Sequence, residues 1–171
     1  VYLDDVICFS TGFAQHKQRL EEVLQRMEEY DLKLKPTKCF FAQRSVSFLG
    51  HRVSAVGIEP DPERLGPIRN FKEPSNTTEV RRFLGMTGFY RRFIPNYSKI
   101  ARPINNLLKK DVKFVFDSDC KRAFQALRSA LLNEPIVAHY DPTATFVLRT
   151  DASKEGVSGI LLICPTDRDK D

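Results

Sequence analysis

The chain has 171 residues, of which 42% are hydrophobic and 29% are charged, and its formal net charge is +5. This composition is typical of a soluble globular protein. It excludes a disordered polyelectrolyte and a membrane-embedded bundle, since no apolar run approaches the ~20 residues of a membrane span. The length allows one ordinary domain or two small ones. The modest basic excess permits an acidic partner such as nucleic acid without requiring one.

The four cysteines, at positions 8, 39, 120 and 164, are scattered and show no C-x-x-C pairing. We therefore predict reduced thiols in an intracellular protein, with neither a disulfide framework nor a zinc site. The chain opens without Met, inside an expected strand, so we expect a fragment of a longer protein.

The first ten residues place an acidic pair between two apolar, β-favouring runs. We predict a hairpin in which Asp4 and Asp5 occupy the tight turn. Adjacent carboxylates repel one another, and a shared Mg²⁺ would offset the repulsion because this cation prefers hard oxygen ligands. Aspartate is also common in solvated turns, and the pair on its own favours that simpler interpretation.

The segment up to residue 60 combines a helix with short strands. Apolar side chains at helical spacing predict an amphipathic helix over residues 13–30 that lies on a sheet, with its apolar stripe in the core. Short strands are predicted at residues 38–41, 45–49 and 51–54, with Gly50 in a tight turn and Gly57 at the end of the region. This order indicates an α+β layer and not an alternating parallel sheet.

Prolines and potential caps divide the rest of the chain. The next predicted elements are a linker at residues 59–62, a strand at 68–71, a helix over 78–94 halted by Pro95, and a helix with Pro103 in its first turn that ends near 109–110. They are followed by a strand at 114–116, a helix capped by Asp117 or Ser118, and two strands at 145–150 and 157–163 joined by residues 151–156.

The helix predicted over residues 78–94 has two distinct faces on a wheel of 100° per residue. The face typical of a core contact carries Val80, Phe83, Leu84, Thr87 and Ile94. The opposite face carries Arg81, Gly85, Gly88, Phe89 and Arg92. Two glycines inside a helix cost about 1 kcal/mol each relative to alanine, so some interaction should offset them. Either a nucleic-acid backbone approaches this face, or the glycines allow close helix packing, and the pattern favours neither.

Three further side chains are candidates for chemistry. Lys38, on a strand near metal-binding aspartates, could be the general acid for a departing pyrophosphate, although most lysines are solvated charges. His51 could bind a phosphate or a backbone carbonyl, and a structural imidazole is at least as common. Asp151 ends an apolar strand and is either a metal ligand or an ordinary turn residue.

Four blocks of residues together resemble the reverse transcriptases of gypsy-type LTR retrotransposons. The first two are Tyr2-Leu3-Asp4-Asp5, the Y-x-D-D signature, and Lys38-Cys39 with Phe48-Leu49-Gly50-His51, the primer-grip strands. The third is Arg82-Phe83-Leu84-Gly85 with Phe89-Tyr90-Arg91-Arg92 and Ile100-Ala101-Arg102-Pro103, the thumb. The fourth is Ala123-Phe124, Pro135-Ile136 and Thr150-Asp151-Ala152-Ser153, the connection and the opening of ribonuclease H. The resemblance covers essentially the whole chain, and four blocks in the right order are far more specific than a lone Y-x-D-D.

The resemblance implies a role for each candidate residue. Asp4 and Asp5 would bind catalytic Mg²⁺, or Mn²⁺ in its place, to activate the primer 3′-hydroxyl and hold the triphosphate. Lys38 would be the general acid. Phe48, Leu49, Gly50 and His51 would position the primer end. Arg81, Gly85 and Phe89 would follow the duplex minor groove. Tyr2 and Arg92 are further candidates for nucleic-acid binding, and Asp151 would be the first metal ligand of ribonuclease H. The implied partners are an RNA or DNA primer-template, dNTPs and the remaining fingers, palm and ribonuclease H portions, with no membrane. The implied location is a cytoplasmic retroelement particle or the nucleus.

We therefore expect an α+β fold in four parts: the C-terminal palm at residues 1–60, the thumb at 61–112, the connection at 113–140, and the first strands of ribonuclease H at 141–171. The family needs a third polymerase carboxylate, the fingers and further ribonuclease H acids that this chain does not supply, so the isolated chain is expected to be inactive. The family often has Trp near position 116, where this chain has Phe116. The alternative from another functional class is a non-catalytic, nucleic-acid-binding remnant of a decayed or domesticated element.

Overall fold

The computed structural model describes residues 1–133, 135–137, 139, 145–153 and 156–163. It contains two compact units, residues 1–138 and residues 139–171. Within the described ranges, no helix is long and apolar enough to cross a membrane.

The first unit combines helices with a small antiparallel sheet. Its described α-helices and strands are α1 (Phe13–Glu29), β1 (Ser45–Phe48), β2 (His51–Ser54), β3 (Ile58–Pro60), α2 (Gly66–Arg69), α3 (Thr77–Phe89), α4 (Tyr97–Asn106) and α5 (Ser118–Leu132). Short 3-10 turns occur at Pro36–Lys38, Pro62–Leu65 and Arg91–Phe93.

Helix α1 confirms the prediction for residues 13–30 to within one residue. None of its side chains is buried, so the prediction that its apolar stripe lies in the core is wrong. The strand predicted over residues 38–41 is wrong, because Pro36 begins a 3-10 turn that the N–H of Cys39 closes by donating to the Pro36 carbonyl at 3.0 Å. The fixed φ of proline suits the first position of such a turn.

Strands β1, β2 and β3 pair antiparallel in that order. The strands predicted at residues 45–49 and 51–54 are confirmed, and the register places Phe48 opposite His51. Leu49 and Gly50 form the two-residue turn between them, with φ values of +49° and +77°. Positive φ at both central positions gives a turn whose twist matches that of the strands it joins.

Residues 59–62 are not a linker. Glu59 and Pro60 lie in β3, and Arg52 of β2 donates to the Glu59 carboxylate at 2.5 Å. Asp61 then accepts a hydrogen bond from the N–H of Glu63 at 3.1 Å and thereby caps the following 3-10 turn. The prolines looked like linker residues because they interrupt a strand pattern, but each stands where no N–H is needed.

The other edge of β3 is closed by a segment from far along the chain. Ile58 and Val137 exchange two backbone hydrogen bonds of 2.8 Å each. Gly57 precedes this bridge with φ of +154°, and a Cβ atom built on it would lie 2.5 Å from the Val137 carbonyl oxygen. This close approach therefore requires glycine.

The strand predicted at residues 68–71 is wrong. Asp61 caps a helical path that runs through the 3-10 turn and α2, and prolines stand in the first turn of each. Ile68 lies in α2 and is 1% exposed, so its apolar character reflects burial in a helix and not in a sheet. Phe71 follows α2 and packs against Phe83 of α3, with ring centroids 5.5 Å apart.

Helix α3 is shorter than the predicted span of 78–94, because its last turn gives way to a 3-10 turn before Pro95. Helix α4 contains Pro103 in its interior and ends at Asn106, so the prediction of Pro103 in the first turn and an end near residues 109–110 is wrong. The proline removes one hydrogen bond of the helix. Burial of Ala101 and Ile104 on either side of it holds the helix against the core.

Helix α5 confirms the predicted cap, since Asp117 accepts a hydrogen bond from the N–H of Cys120 at 2.9 Å. No described strand forms at residues 114–116. Phe116 instead packs edge-on against Phe124 of α5 at 6.3 Å, so the apolar spacing there reflects contact with the helical core.

The core of the first unit lies among α2 to α5. Its largest side chains exposed by less than 2% are Ile68, Val80, Phe83, Thr87, Ile104, Phe124, Leu127 and Leu131. The rings of Phe83 and Phe124 meet at its centre, 4.6 Å apart. The cysteines of the described residues are free thiols, and burial raises the pKa of Cys120 to about 11. Cys164 lies outside the described residues.

The N-terminus of α3 yields a pH-dependent prediction. Asn76 accepts a hydrogen bond from the N–H of Glu79 at 2.9 Å, while the Glu79 carboxylate accepts from the N–H and hydroxyl of Ser75 at 2.7 and 3.0 Å. The backbone bond from Ser75 chiefly lowers the pKa of Glu79 below its ordinary value. Because the folded-state pKa is lowered, this stabilisation is present above the unfolded-state pKa of glutamate and is lost as pH falls through the folded value. We expect Glu79→Gln to unfold at lower urea concentration than wild type at pH 7, with the difference shrinking towards pH 3; a constant difference across this range would contradict it.

The second unit, as far as it is described, is an antiparallel hairpin of β4 (Phe146–Ser153) and β5 (Gly156–Ile163). The two predicted strands are confirmed and are longer than predicted. Asp151 therefore lies inside β4, opposite Ser158, and not at the end of a strand as the sequence suggested. The main-chain pairing continues past Asp151 to Ser153. The composition of residues 151–156, which is typical of a turn, therefore led to a predicted strand end that was too early.

Candidate catalytic turn and nucleic-acid interface

The acidic pair lies in a tight turn at the N-terminus. Tyr2 and Asp5 exchange two backbone hydrogen bonds of 2.9 Å, and Leu3 between them has φ of +49°. The bend therefore centres on Leu3 and Asp4, whereas Asp5 is the paired residue that follows. This corrects the prediction that both aspartates occupy the turn itself. Both side chains are exposed.

The donor set of this turn fits a hard divalent cation, because two adjacent exposed carboxylates offer oxygen ligands of the kind that Mg²⁺ prefers. Among the described residues, no group of three or more His, Cys, Asp or Glu side chains could hold a metal ion. The role of Asp4 and Asp5 as metal ligands stays a prediction.

Lys38 is exposed at the end of the Pro36–Lys38 turn, where its N–H donates to the Lys35 carbonyl at 2.9 Å. Its predicted placement on a strand is wrong. Its role as a general acid stays a prediction.

Helix α3 has the two faces that the sequence predicted. Phe83 and Thr87 are fully buried on one side, and Arg81, Gly85 and Phe89 are exposed on the other. A Cβ atom built on Gly85 would have no neighbouring atom within 4 Å, so close helix packing does not account for this glycine. The open strip beside Gly85 favours the first alternative, in which a partner approaches the helix backbone from outside.

Gly88 differs from Gly85. It is half-buried, and a Cβ atom built on it would lie 3.5 Å from the Tyr97 hydroxyl oxygen, an ordinary contact distance. The prediction that it belongs to the exposed face is therefore wrong. The cause is that the side chain of Tyr97, the first residue of α4, covers this part of the predicted face.

Exposed arginines extend the open face of α3. Arg81 and Arg82 lie on the helix, and Arg91 and Arg92 lie on the 3-10 turn that follows it. The guanidinium of Arg92 stands 4.8 Å from the centroid of the Phe93 ring, an arrangement that fixes the cation without neutralising it. This end of the first unit therefore presents positive charge around an exposed aromatic ring.

The tip of the β1–β2 hairpin lies against the end of this face. Leu49 is exposed, Phe48 is half-buried, and Gly50 is buried. A Cβ atom built on Gly50 would lie 3.2 Å from the Phe89 ring, and φ of +77° at this position also favours glycine. The residues expected at the primer end and those expected in the minor groove are thus brought together.

His51 faces the interior of this junction. Its Nδ1–H donates to the Leu49 carbonyl at 2.9 Å, and its Nε2 is buried without a hydrogen-bond partner among the described residues. Burial, and then the charge of Arg92, lowers the pKa of His51 below its ordinary value, so the imidazole is neutral at pH 7. Neither ring nitrogen is free to bind a phosphate. The structure therefore supports the backbone-carbonyl and structural alternatives and corrects the prediction of direct nucleic-acid contact.

Sequence reasoning missed two residues of this junction. The Tyr90 hydroxyl donates to the Gly50 carbonyl at 3.0 Å, and the Arg64 side chain approaches within 3.8 Å of the Cβ position on Gly50. Tyr90 lies within the helix span predicted over residues 78–94, but a helical wheel does not reveal contacts with a distant hairpin. Arg64 lies two residues after the end of the predicted linker. The signal that could have indicated Arg64 was its positive charge, at a position just after two prolines and just before a helix.

In the second unit, Asp151 is exposed on the β4–β5 hairpin. The pairing of the two strands places Asp151 opposite Ser158. Its assignment as a ribonuclease H ligand stays a prediction.

Comparison with known proteins agrees with this arrangement. Residues 1–53 match a reverse transcriptase (RNA-dependent DNA polymerase) family, and residues 116–169 match an RNase H-like domain found in reverse transcriptase. The chain is 39% identical over 162 residues to the retrovirus-related Pol polyprotein from transposon 297 of Drosophila melanogaster, an alignment that covers 94% of this chain and 15% of that polyprotein. These matches confirm the predicted resemblance to reverse transcriptases.

The chain also resembles further polyproteins of LTR transposons, as the sequence predicted. It is 34% identical to the Transposon Tf2-3 polyprotein of Schizosaccharomyces pombe over 94% of the chain and 12% of that polyprotein. It therefore spans about an eighth of the length of these relatives. A structure of a foamy viral protease-reverse transcriptase in complex with dsDNA matches 91% of this chain and 33% of that chain, with a TM-score of 0.76 and 25% identity.

The comparisons also confirm the α+β fold class. The signature turn lies in the reverse transcriptase match, and Asp151 lies in the RNase H-like match. That second match begins at residue 116, inside the predicted connection, and the proposed four-part division stays a prediction.

Proposed function

We propose that this chain is the part of an RNA-directed DNA polymerase that holds the primer-template and supplies two ligands for the catalytic metal. The longer enzyme adds dNTPs to a primer 3′-hydroxyl and carries an associated ribonuclease H. The observation that carries the proposal is the open strip of α3, where exposed Arg81 and Phe89 flank a glycine with empty space above it. A duplex backbone would occupy that space.

The grip on nucleic acid would be mainly electrostatic. Arginines on and after α3 would neutralise phosphates, and each such contact releases counterions and steepens the salt dependence of binding. The exposed Phe89 ring would pack on a sugar or base, a contact worth ~1–3 kcal/mol. Gly85 between them lets the strand lie against the helix backbone.

The chemistry would take place at the N-terminal turn. Asp4 and Asp5 would hold Mg²⁺, or Mn²⁺, which when bound activates the attacking hydroxyl and stabilises the developing charge on the triphosphate. The backbone pairing of Tyr2 with Asp5 holds the carboxylates at a fixed bend. Lys38 would donate the proton to the departing pyrophosphate.

The partners we propose follow from this assignment. The foamy viral enzymes of similar fold were solved with dsDNA and with an RNA/DNA hybrid. For this chain we propose the same classes of primer-template, with dNTPs and the remaining fingers, palm and ribonuclease H portions of the polyprotein. We propose a cytoplasmic retroelement particle or the nucleus as its location.

A pair of glycine substitutions tests the grip on the duplex. We expect Gly85→Ala to stabilise the chain by about 0.5–1 kcal/mol, because alanine is the better helix former and its methyl group meets no atom of this chain. The same methyl group would stand where a strand must lie, so the affinity for a primer-template duplex should fall about tenfold. Fluorescence anisotropy with a labelled duplex measures the affinity, and urea unfolding measures the stability.

Gly88→Ala is the matched control, since its methyl group would face Tyr97 and not the open strip. It should leave duplex affinity within about twofold of wild type at every salt concentration. Equal affinity for wild type and Gly85→Ala would show that no nucleic acid lies on this face, and the proposed grip would then be wrong.

A further inference from the structure

The end of helix α3 and the tip of the β1–β2 hairpin are joined by a specific hydrogen bond. The Tyr90 side chain is 5% exposed, and its hydroxyl donates to the Gly50 carbonyl at 3.0 Å. Burial raises the pKa of Tyr90, so the hydroxyl remains protonated and able to donate at neutral pH. Among the described residues, the backbone N–H of Asp61 also donates to this carbonyl, at a longer distance of 3.3 Å.

Ring contacts support the same junction. The His51 imidazole stacks on Phe89 with centroids 5.3 Å apart and meets Tyr90 edge-on at 5.7 Å. Through Nδ1 it also holds the carbonyl of Leu49, the turn residue with φ of +49°. A left-handed backbone is unfavourable for leucine and persists only where its surroundings fix it.

We propose that Tyr90 is a positioning residue for polymerisation. Its hydroxyl, acting through the Gly50 carbonyl, fixes the exposed hairpin tip at Leu49 relative to the exposed ring of Phe89. These two groups would then contact the bound duplex at a constant separation, and the primer end would be presented in one orientation. The inference rests on the proposed function, in which both groups contact the primer-template.

This role differs from binding. Tyr90 is 5% exposed, so its hydroxyl is shielded from a duplex bound at the surface, whereas the arginines proposed to contact phosphates are exposed. Loss of its hydroxyl should therefore leave duplex affinity intact while the primer end becomes less well ordered. The expected signature is a fall in kcat for nucleotide addition with an unchanged KM for primer-template.

The first experiment measures hydrogen exchange of the backbone amides of residues 48–54 in this chain. Tyr90→Phe keeps the ring and removes the hydroxyl, and these amides should exchange about fivefold faster, the factor that corresponds to one ordinary hydrogen bond. Tyr97→Phe is the matched control, because its hydroxyl contacts Thr87 and Leu84 and does not touch the hairpin. Equal exchange in Tyr90→Phe and wild type would overturn the proposed connection.

The second experiment measures single-nucleotide addition by the longer polymerase that contains this chain. Tyr90→Phe should lower kcat about fivefold or more with KM for primer-template unchanged, and Tyr97→Phe should match wild type. An active wild type whose kcat is unaffected by Tyr90→Phe overturns the positioning role alone. A wild-type enzyme that adds no nucleotide would overturn the proposed function and, with it, the role of Tyr90 at the primer. In that case the hydrogen-exchange experiment still decides whether the Tyr90 hydroxyl joins the hairpin to the helix.

Discussion

Asp5→Asn in the longer polymerase should abolish DNA synthesis, lowering the rate of nucleotide addition by at least about a thousandfold, which corresponds to ~4 kcal/mol of transition-state stabilisation. The reason is that asparagine keeps the shape of the side chain and removes the negative charge that a metal ion requires. Asp5 takes part in the turn only through its backbone N–H and carbonyl, so the substitution should not disturb the fold. Primer extension with Mg²⁺ measures the rate.

Two controls make this result specific. Glu21→Gln removes an exposed carboxylate from helix α1 and should leave synthesis unchanged. Duplex affinity should be the same for Asp5→Asn and wild type, since the proposed grip lies on α3. If Asp5→Asn synthesised DNA at the wild-type rate, the catalytic assignment would be wrong. A wild-type enzyme that binds duplex but makes no DNA would favour the non-catalytic remnant.

Phe83→Ala should be the most damaging substitution in the helical core. The side chain is fully buried, and its ring lies 4.6 Å from that of Phe124, so its removal leaves a cavity at the centre of the core. We expect a loss of about 3–5 kcal/mol in the free energy of unfolding, a large part of the stability of an ordinary domain. Urea unfolding followed by circular dichroism measures it.

Phe89→Ala gives the comparison on the opposite face of the same helix. Phe89 is 56% exposed, so its loss should cost about 1 kcal/mol or less. It should instead weaken duplex binding and shorten the products of the longer enzyme. Similar unfolding free energies for the two variants would show that Phe83 does not anchor the core.

The parts of the fold that were predictable are those determined by local spacing. Helix α1 repeats its apolar residues with a helical period, and α5 has an aspartate cap that the sequence displays directly. Gly50 between two short β-favouring runs indicates the β1–β2 hairpin. In each case the signal lies within a few residues of the element that it determines.

Prolines and apolar clusters caused the errors because their meaning depends on distant residues. Pro62 is assigned to a linker by the sequence pattern, yet it occupies the first turn of a helical segment, where a proline is favoured. Phe114 and Phe116 alternate like strand residues, but the Phe116 ring packs against Phe124 of α5, and the Phe114 ring packs against Phe116. Such errors follow when packing overrides local preference.

The candidate site was predictable to a similar degree. The wheel placed Arg81, Gly85 and Phe89 on one exposed face, which the structure confirms. It could not reveal that Tyr90 reaches Gly50, because 40 residues separate them and no periodicity connects them. Nor could it show that His51 turns inwards, since the aromatic residues that enclose it belong to another element.

The bridge between Ile58 and Val137 has a consequence for the order of events during translation. Strand β3 emerges from the ribosome well before its second partner, so one edge stays open until residue 137 has been made. Helices α2 to α5 are built in the interval from contacts that are closer in sequence, and such contacts form first. The last hydrogen bonds of the sheet should therefore appear only after the helices have assembled, and a ribosome paused within α5 would leave a nascent chain with an unprotected strand edge.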